Sequence, residues 1–458
     1  MEEPQNPYFW MPGTFNLRQF YGAPKWVRLI LEQITFTPPH DLELIGLPGM
    51  AKTTLLRYIA DPQGALHDYP DWLQAPYDQQ ADRLFMALVQ FRLAPADTHP
   101  FIYLYHRFYE EYALYCDRQL KHDPALRRVY PLLPSPDKQT ATTAVDTMQL
   151  AIERLVADDI RPVLLLDDFD LAFARLDLEQ TTRLRPWRDR VAFVLVTERP
   201  LHEVNAKAAG SPFFQTMPVQ TITGLPPAEA RRMLAEPAQN AGCPFPDADV
   251  DTILPYTGGH PYLLILAGRA LWETRARLTL LGSVQPLSAQ QQQMLRGRLQ
   301  DNFGRTFQFY RDGLSPAELQ ALRLLINEGT GTDYATLAAL EAKGLVQYEA
   351  ADNYVPFSPL FAEFVAGASA SPVAPADLPL TGIEGQFYDY LYHNADRVCL
   401  FDELAREVWH AADPNDADIR RRMQVTVSRL RKKLKTTTGD DISSVRDQGY
   451  RLLPRAVT

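Results

Sequence analysis

The run GLPGMAKTT, from Gly46 to Thr54, constrains this chain more than any other stretch. It sits between an apolar run (Leu42, Leu44, Ile45) and a helix-like run (Leu55, Leu56, Tyr58, Ile59). The pattern G-x-x-x-x-G-K-[ST] of a phosphate-binding loop is met at every place but one, where Ala51 stands for the second glycine. Gly46 and Gly49 let the backbone turn its N–H groups inward around an anion, and a helix beginning near Lys52 adds its positive end. Lys52 is placed to reach terminal phosphates, and the Thr53 hydroxyl to be one ligand of a magnesium ion. Ala51 and Thr54 complete the lining, with Ala51 expected to enter the helix at ordinary helical dihedrals. The ligands expected are ATP or ADP with Mg2+.

A second motif supplies what such a loop needs. Residues 162–170 (PVLLLDDFD) read as a buried strand ending in acids. One strand-end carboxylate can hold the metal and its neighbour can orient or deprotonate an attacking water. Asp167 is assigned to the metal and Asp168 to the water. Further buried strands are expected at 83–91 and 191–200, with a short one at 218–223. Helices are expected at 26–34, 101–115 and 144–157, and a loop at 121–143. Phe101, Tyr105, Phe108, Tyr112 and Tyr115 stripe one face of the second helix, a pattern that suits core; were it exposed, it would suit a partner. Strands alternating with helices predict a parallel α/β sheet with ligands at the strands' C-terminal ends.

From 225 to about 299 the pattern turns helical around a loop at 257–264. Residues 314–366 read as two helices and a two-stranded hairpin, a first winged helix whose second helix carries little positive charge. Residues 367–379 (GASASPVAPADLP) form a linker.

The Pro- and aromatic-rich arm, the Phe20-Tyr21-Gly22 turn, the helix and the phosphate loop together resemble the STAND class of signalling ATPases, relatives of the AAA+ proteins. The resemblance implies that Tyr21 and Gly22 line an adenine pocket, although Ala23 stands where the family usually has arginine. It implies that Arg199, after the 191–200 strand, senses the γ-phosphate. It further implies that Gly259-His260-Pro261 is the lid motif whose proline, Pro261, packs on the adenine ring.

No run of about 18 apolar residues occurs, so no membrane span is expected, and the start does not resemble a secretory signal. A cytoplasmic location is the expectation. Cys116, Cys243 and Cys399 are far apart, which argues against a disulfide scaffold or a zinc site. The net charge of -10 argues against nucleic acid as a partner, but the charge is unevenly spread. Residues 418–458 hold eleven Lys and Arg against four Asp and Glu, a balance of +7; residues 380–417 hold eight acids against two bases, a balance of -6.

In that last stretch Met423, Val427, Leu430 and Leu434 share one helical face. Arg421, Gln424, Val425, Ser428, Lys432 and Lys435 share the other, joined by Arg429 and by Arg446 in the expected wing. Valine amid cations suits a thymine methyl in a major groove. Residues 380–458 resemble the OmpR/PhoB type of winged helix, on LFDELAREVW, RRMQVTVSRLRKKL and ISSVRDQGYRL, with Asp447 where the family usually has glycine.

The domain plan expected is arm and first helix (1–40), P-loop NTPase core (41–224), helical lid (225–313), first winged helix (314–366), linker (367–379) and a DNA-binding winged helix (380–458). The function expected is an ATP-switched transcriptional regulator of STAND type with slow ATP hydrolysis. Its expected partners are double-stranded DNA, a protein trigger on the arm or the aromatic helix, and a second copy of itself. Two alternatives stay open: a DNA-remodelling or loader ATPase, and a defence or scaffold protein that binds nucleotide without turnover.

Overall fold

The computed structural model describes residues 5–8, 21–22, 24–122, 133–329, 333–349, 353–367, 382–393, 398–409, 417–437, 441–445 and 449–453. The chain divides into two compact units, Met1–Ala366 and Gly367–Thr458.

In the first unit five parallel strands form one sheet in the order β2-β3-β4-β1-β5. They are β1 (Leu42–Ile45), β2 (Leu84–Gln90), β3 (Arg161–Asp167), β4 (Ala192–Thr197) and β5 (Val219–Thr221). Every residue of β1, β3 and β4 is buried, as expected of parallel strands covered by helices on both faces. Side chains alternate between two cores. Phe85, Val89, Leu164, Leu166, Phe193 and Leu195 face one, and Leu84, Val163, Leu165, Ala192 and Val194 face the other.

The aromatic helix runs from Pro100 to His122, longer than its stripe, and Phe101, Tyr105, Phe108, Tyr112 and Tyr115 are all buried on the first core. That face is therefore not available to a protein trigger. The next helix, Ala141–Ala157, begins inside the expected loop because Thr140 and Thr143 form a reciprocal capping box.

Helices Pro227–Asn240, Asp247–Thr257, Pro261–Arg277 and Ala289–Asp312 build a separate core beside the sheet. Tyr8 of the arm belongs to it: its hydroxyl donates to the Leu234 carbonyl and its ring stacks on Phe245 at 5.8 Å. Within this core Arg275, fully buried, donates to Asp249 Oδ2 at 2.5 Å and to the Gln285 and Leu280 carbonyls.

Residues Pro316–Glu328, Tyr334–Ala342 and Pro359–Gly367 are helical and enclose the antiparallel pair β6 (Val346–Glu349) and β7 (Asn353–Pro356). This small group leans on the sheet's edge and on the lid. Thr221 Oγ1 donates to the Ala342 carbonyl at 3.1 Å, and Ser358 Oγ to the Tyr256 carbonyl at 2.6 Å.

The second unit places helices Gly382–His393, Phe401–Trp409 and Ala417–Thr437 against a three-stranded sheet of order β8-β10-β9. Its strands are β8 (Cys399–Leu400), β9 (Asp441–Val445) and β10 (Gly449–Leu453), all antiparallel. Met423, Val427, Leu430 and Leu434 pack in its core with Phe387, Tyr388 and Ile442. Among the described residues no helix is long and apolar enough to cross a membrane.

Candidate nucleotide site and nucleic-acid interface

The sheet order brings the C-terminal ends of β1, β4, β3 and β2 side by side, and the functional side chains gather there. After β1 the chain turns through Gly46 to Gly49, the latter at φ +83°, and enters the helix Lys52–Ala60. Ala51 does not take ordinary helical dihedrals. It caps that helix at φ 58°, ψ 24°, in the left-handed region. Turning successive N–H groups toward one point demands that conformation just before the helix, and a methyl group accepts it at a cost of roughly 1 to 2 kcal/mol.

Lys52 is buried, and its Nζ donates to the Gly46 carbonyl at 2.6 Å and the Leu47 carbonyl at 3.0 Å. Burial lowers its pKa, opposed by the charges of Glu198, Asp168, Asp167 and Asp170. Thr53 Oγ1 donates to Asp167 Oδ2 at 2.7 Å, and Gln90 Nε2 donates to the same oxygen at 3.2 Å. Asp167 Oδ1 is buried without a hydrogen-bond partner among the described residues. Burial, with Asp168 alongside, raises the Asp167 pKa. A hydroxyl and a dry carboxylate oxygen this close, facing an ammonium and a loop of N–H groups, fit a magnesium ion shared with phosphate. Thr54 is half-buried on the same first turn.

Asp168 also has a positive φ, 51°, as the N-cap of the short helix Phe169–Phe173. Both its oxygens are occupied: Arg92 Nε donates to Oδ2 at 2.9 Å and Nη2 to Oδ1 at 3.0 Å. Nη2 also donates to Glu198 Oε1 at 2.9 Å. Sequence reading missed Arg92, Gln90 and Glu198. Gln90 ends β2, Arg92 lies in the turn after it and Glu198 follows β4, and only the strand order reveals that they converge. Arg199 is exposed, and Asp168 and Glu198 bond Arg92.

The lid reaches the loop from the other side. Tyr262 N donates to the Gly49 carbonyl at 3.3 Å, and Tyr310 Oη donates to the Pro48 carbonyl at 2.8 Å. His260 is buried with its pKa pushed down to about 3, by burial above all. Its Nδ1 accepts from Leu263 N at 3.5 Å, and its Nε2 lies 2.6 Å from Tyr310 Oη. Since Tyr310 gives its proton to Pro48, a neutral ring with hydrogen on Nε2 satisfies every group in the chain. A beta carbon on Gly49 would fall 2.8 Å from Tyr262 Cβ. Pro261 is buried at the head of this lid helix. Tyr21 is half-buried against the helix Pro227–Asn240, 5.9 Å from the Arg232 guanidinium and bonded to Glu236; Gly22 follows it.

In the second unit Arg421, Gln424, Val425, Ser428, Arg429 and Lys432 are exposed on one face of the helix Ala417–Thr437, Val425 at 44%. The Lys435 side chain and all of Arg446 and Asp447 lie outside the described residues. Several of the counted cations are engaged within the unit, Arg420 among them, 3.9 Å from Asp402 Oδ1. Arg431 donates to the Ile442 carbonyl at 2.7 Å and to Ser444 Oγ at 2.8 Å, and Lys433 bonds buried Glu384 at 2.7 Å.

Residues 376–452 match the family model described as "Transcriptional regulatory protein, C terminal". The second unit is a transcription-regulator winged helix. No curated protein matches the chain. Among similar solved structures, a Walker-type ATPase of Pyrococcus abyssi is 13% identical, with 78% of this chain and 99% of that one covered and a TM-score of 0.49. The Aeropyrum pernix ORC2 protein in its ADP form is 15% identical, with 80% and 98% covered and a TM-score of 0.44. The Aeropyrum pernix ORC1 protein in complex with DNA is 13% identical, with 81% and 98% covered and a TM-score of 0.38. The five-stranded parallel sheet flanked by helices, with a C-terminal winged helix, is the architecture expected from the sequence.

Proposed function

We propose that the chain is an ATP-switched, DNA-binding transcriptional regulator of STAND type, in which nucleotide at the front site governs DNA engagement by the rear helix. One observation supports this most: a phosphate loop whose Thr53 meets Asp167 at 2.7 Å stands in the same chain as a transcription-regulator domain.

On this reading Lys52 leaves the Gly46 and Leu47 carbonyls for the terminal phosphates of ATP. Thr53 Oγ1 and Asp167 Oδ1 would hold a magnesium ion, which would supply positive charge to offset that of the phosphates. Asp168 receives a proton from water as the water oxygen bonds the γ-phosphorus. The bond from that phosphorus to its bridging oxygen breaks, and the electron pair departs with ADP. Pro261, Tyr21 and Gly22 are the proposed adenine contacts. The buried chain from His260 through Tyr310 to Pro48 ties the loop to the lid, and Tyr310 also neighbours Phe357 and Phe361 of the small 314–366 group. Loop occupancy can thus be felt in that group, which we read as the relay and as the first winged helix.

At the rear, Arg421, Arg429, Lys432, Lys435 and Arg446 are proposed to grip phosphates. Gln424 and Ser428 would meet base edges, and Val425 a thymine methyl. Footprinting of the purified chain on its own genomic neighbourhood, with and without ATP and magnesium, tests both halves together. The reading expects a discrete protected site that needs nucleotide and disappears in Lys52→Ala. Protection without site preference, combined with hydrolysis stimulated by any DNA, would favour a loader; no protection at all would favour a scaffold.

A further inference from the structure

We infer that Arg92, rather than Arg199, is the arginine that reads the γ-phosphate, and that reading it releases Asp168 to face water. The inference rests on the nucleotide site proposed above and specifies how that site tells triphosphate from diphosphate.

Three observations carry it. The first is position. Gln90 is in register with Asp167, so β2 and β3 end at one level, and Arg92 lies in the turn that follows β2. From there its guanidinium crosses the end of β3 to Glu198, the residue after β4. Neighbouring strands lie about 4.8 Å apart, so the side chain spans two strand ends and overhangs the acids that surround Lys52. The second is geometry. Arg92 grips Asp168 with a two-pronged contact, at 2.9 and 3.0 Å, that engages both carboxylate oxygens. With both oxygens engaged by the guanidinium, neither is open to an incoming water. Two non-bridging oxygens of a γ-phosphoryl group present the same fork with more negative charge, and guanidinium matches either. The third is freedom to move. The Arg92 side chain is 59% exposed while Asp168 is 11% exposed, so the arginine can exchange partners without disturbing the core.

The exchange makes hydrolytic competence depend on the third phosphate. ADP leaves Arg92 on Asp168, whereas ATP takes the guanidinium and frees the acid.

Titration calorimetry of the full chain with magnesium and ATP, then ADP, tests this in wild type, Arg92→Ala, Arg92→Lys and Lys52→Ala. Wild type is expected to prefer the triphosphate. In Arg92→Ala the ATP affinity should fall roughly ten- to hundredfold while ADP affinity stays within about twofold, since one charge-assisted contact is lost from the γ-phosphate alone. Arg92→Lys should not restore the preference, for an ammonium cannot present the fork. Lys52→Ala should lose both nucleotides. An Arg92→Ala variant that keeps the wild-type ratio of ATP to ADP affinity overturns the inference and leaves the site standing. Wild type that takes up neither nucleotide overturns the site and the inference together.

Discussion

Ala51 and Asp168 are the two residues of the site whose backbone is strained, each left-handed at a point where the chain must present a group to the ligand. Replacing Ala51 with glycine removes the methyl penalty but adds chain entropy to the unfolded state, so Ala51→Gly should gain roughly 0.5 to 1 kcal/mol in a urea melt. Were Ala51 an ordinary first residue of the helix, the same change would destabilise. His260 gives a second residue-scale test. Its folded pKa is depressed to about 3, so it adds stability above the unfolded value near 6.5 that is lost as pH falls from there toward 3. Wild type should lose about 1.4 kcal/mol per pH unit relative to His260→Gln between pH 6 and 4, measured by urea midpoints. Equal slopes would mean the ring is not held neutral. Lys52, Thr53, Asp167 and Asp168 were legible in the sequence as candidates because each belongs to a recognisable local pattern, the loop and helix after β1 or the acidic end of β3. Arg92, Gln90 and Tyr310 were not, since nothing local marks a residue that acts only through a neighbouring strand or a helix some 260 positions away.

The helix Ala417–Thr437 shows how far an element can be read from its pattern. Its apolar face packs as the spacing predicts, with Met423, Val427, Leu430 and Leu434 buried. Its cations do not form one class. Arg431 and Lys433 bond within the unit, a distinction that a charge count cannot make. Arg431→Ala should therefore cost about 1 to 2 kcal/mol of local stability, seen as faster amide exchange in β9 of the full chain. Arg429→Ala should leave that exchange unchanged and lower the slope of log affinity against log salt by about one. Reversed behaviour of the two arginines would refute the proposed groove-facing side. The sheet strands were legible as well, because parallel strands buried on both faces are continuous apolar runs. Helix limits were less so: capping by Thr140 and the extension to His122 depend on local hydrogen bonds and on the packing of a long face.

At the scale of the whole molecule, the first unit gathers three pieces around one loop. The sheet supplies the acids, the lid supplies His260 and Tyr262, and Tyr310 joins both to Phe357 of the small group. Tyr8 of the arm sits inside the lid core, so this residue at least packs with the lid. The second unit carries the transcription-regulator domain. The central claim is that what the first unit binds sets what the second can hold. It is tested most directly by anisotropy titrations of the full chain onto its footprinted DNA, with a non-hydrolysable ATP analogue and magnesium, with ADP and magnesium, and without nucleotide. The account predicts DNA affinity at least about tenfold higher with the triphosphate than with ADP, a coupling of about 1.4 kcal/mol, and none in Lys52→Ala. Equal affinities in all three states would contradict it.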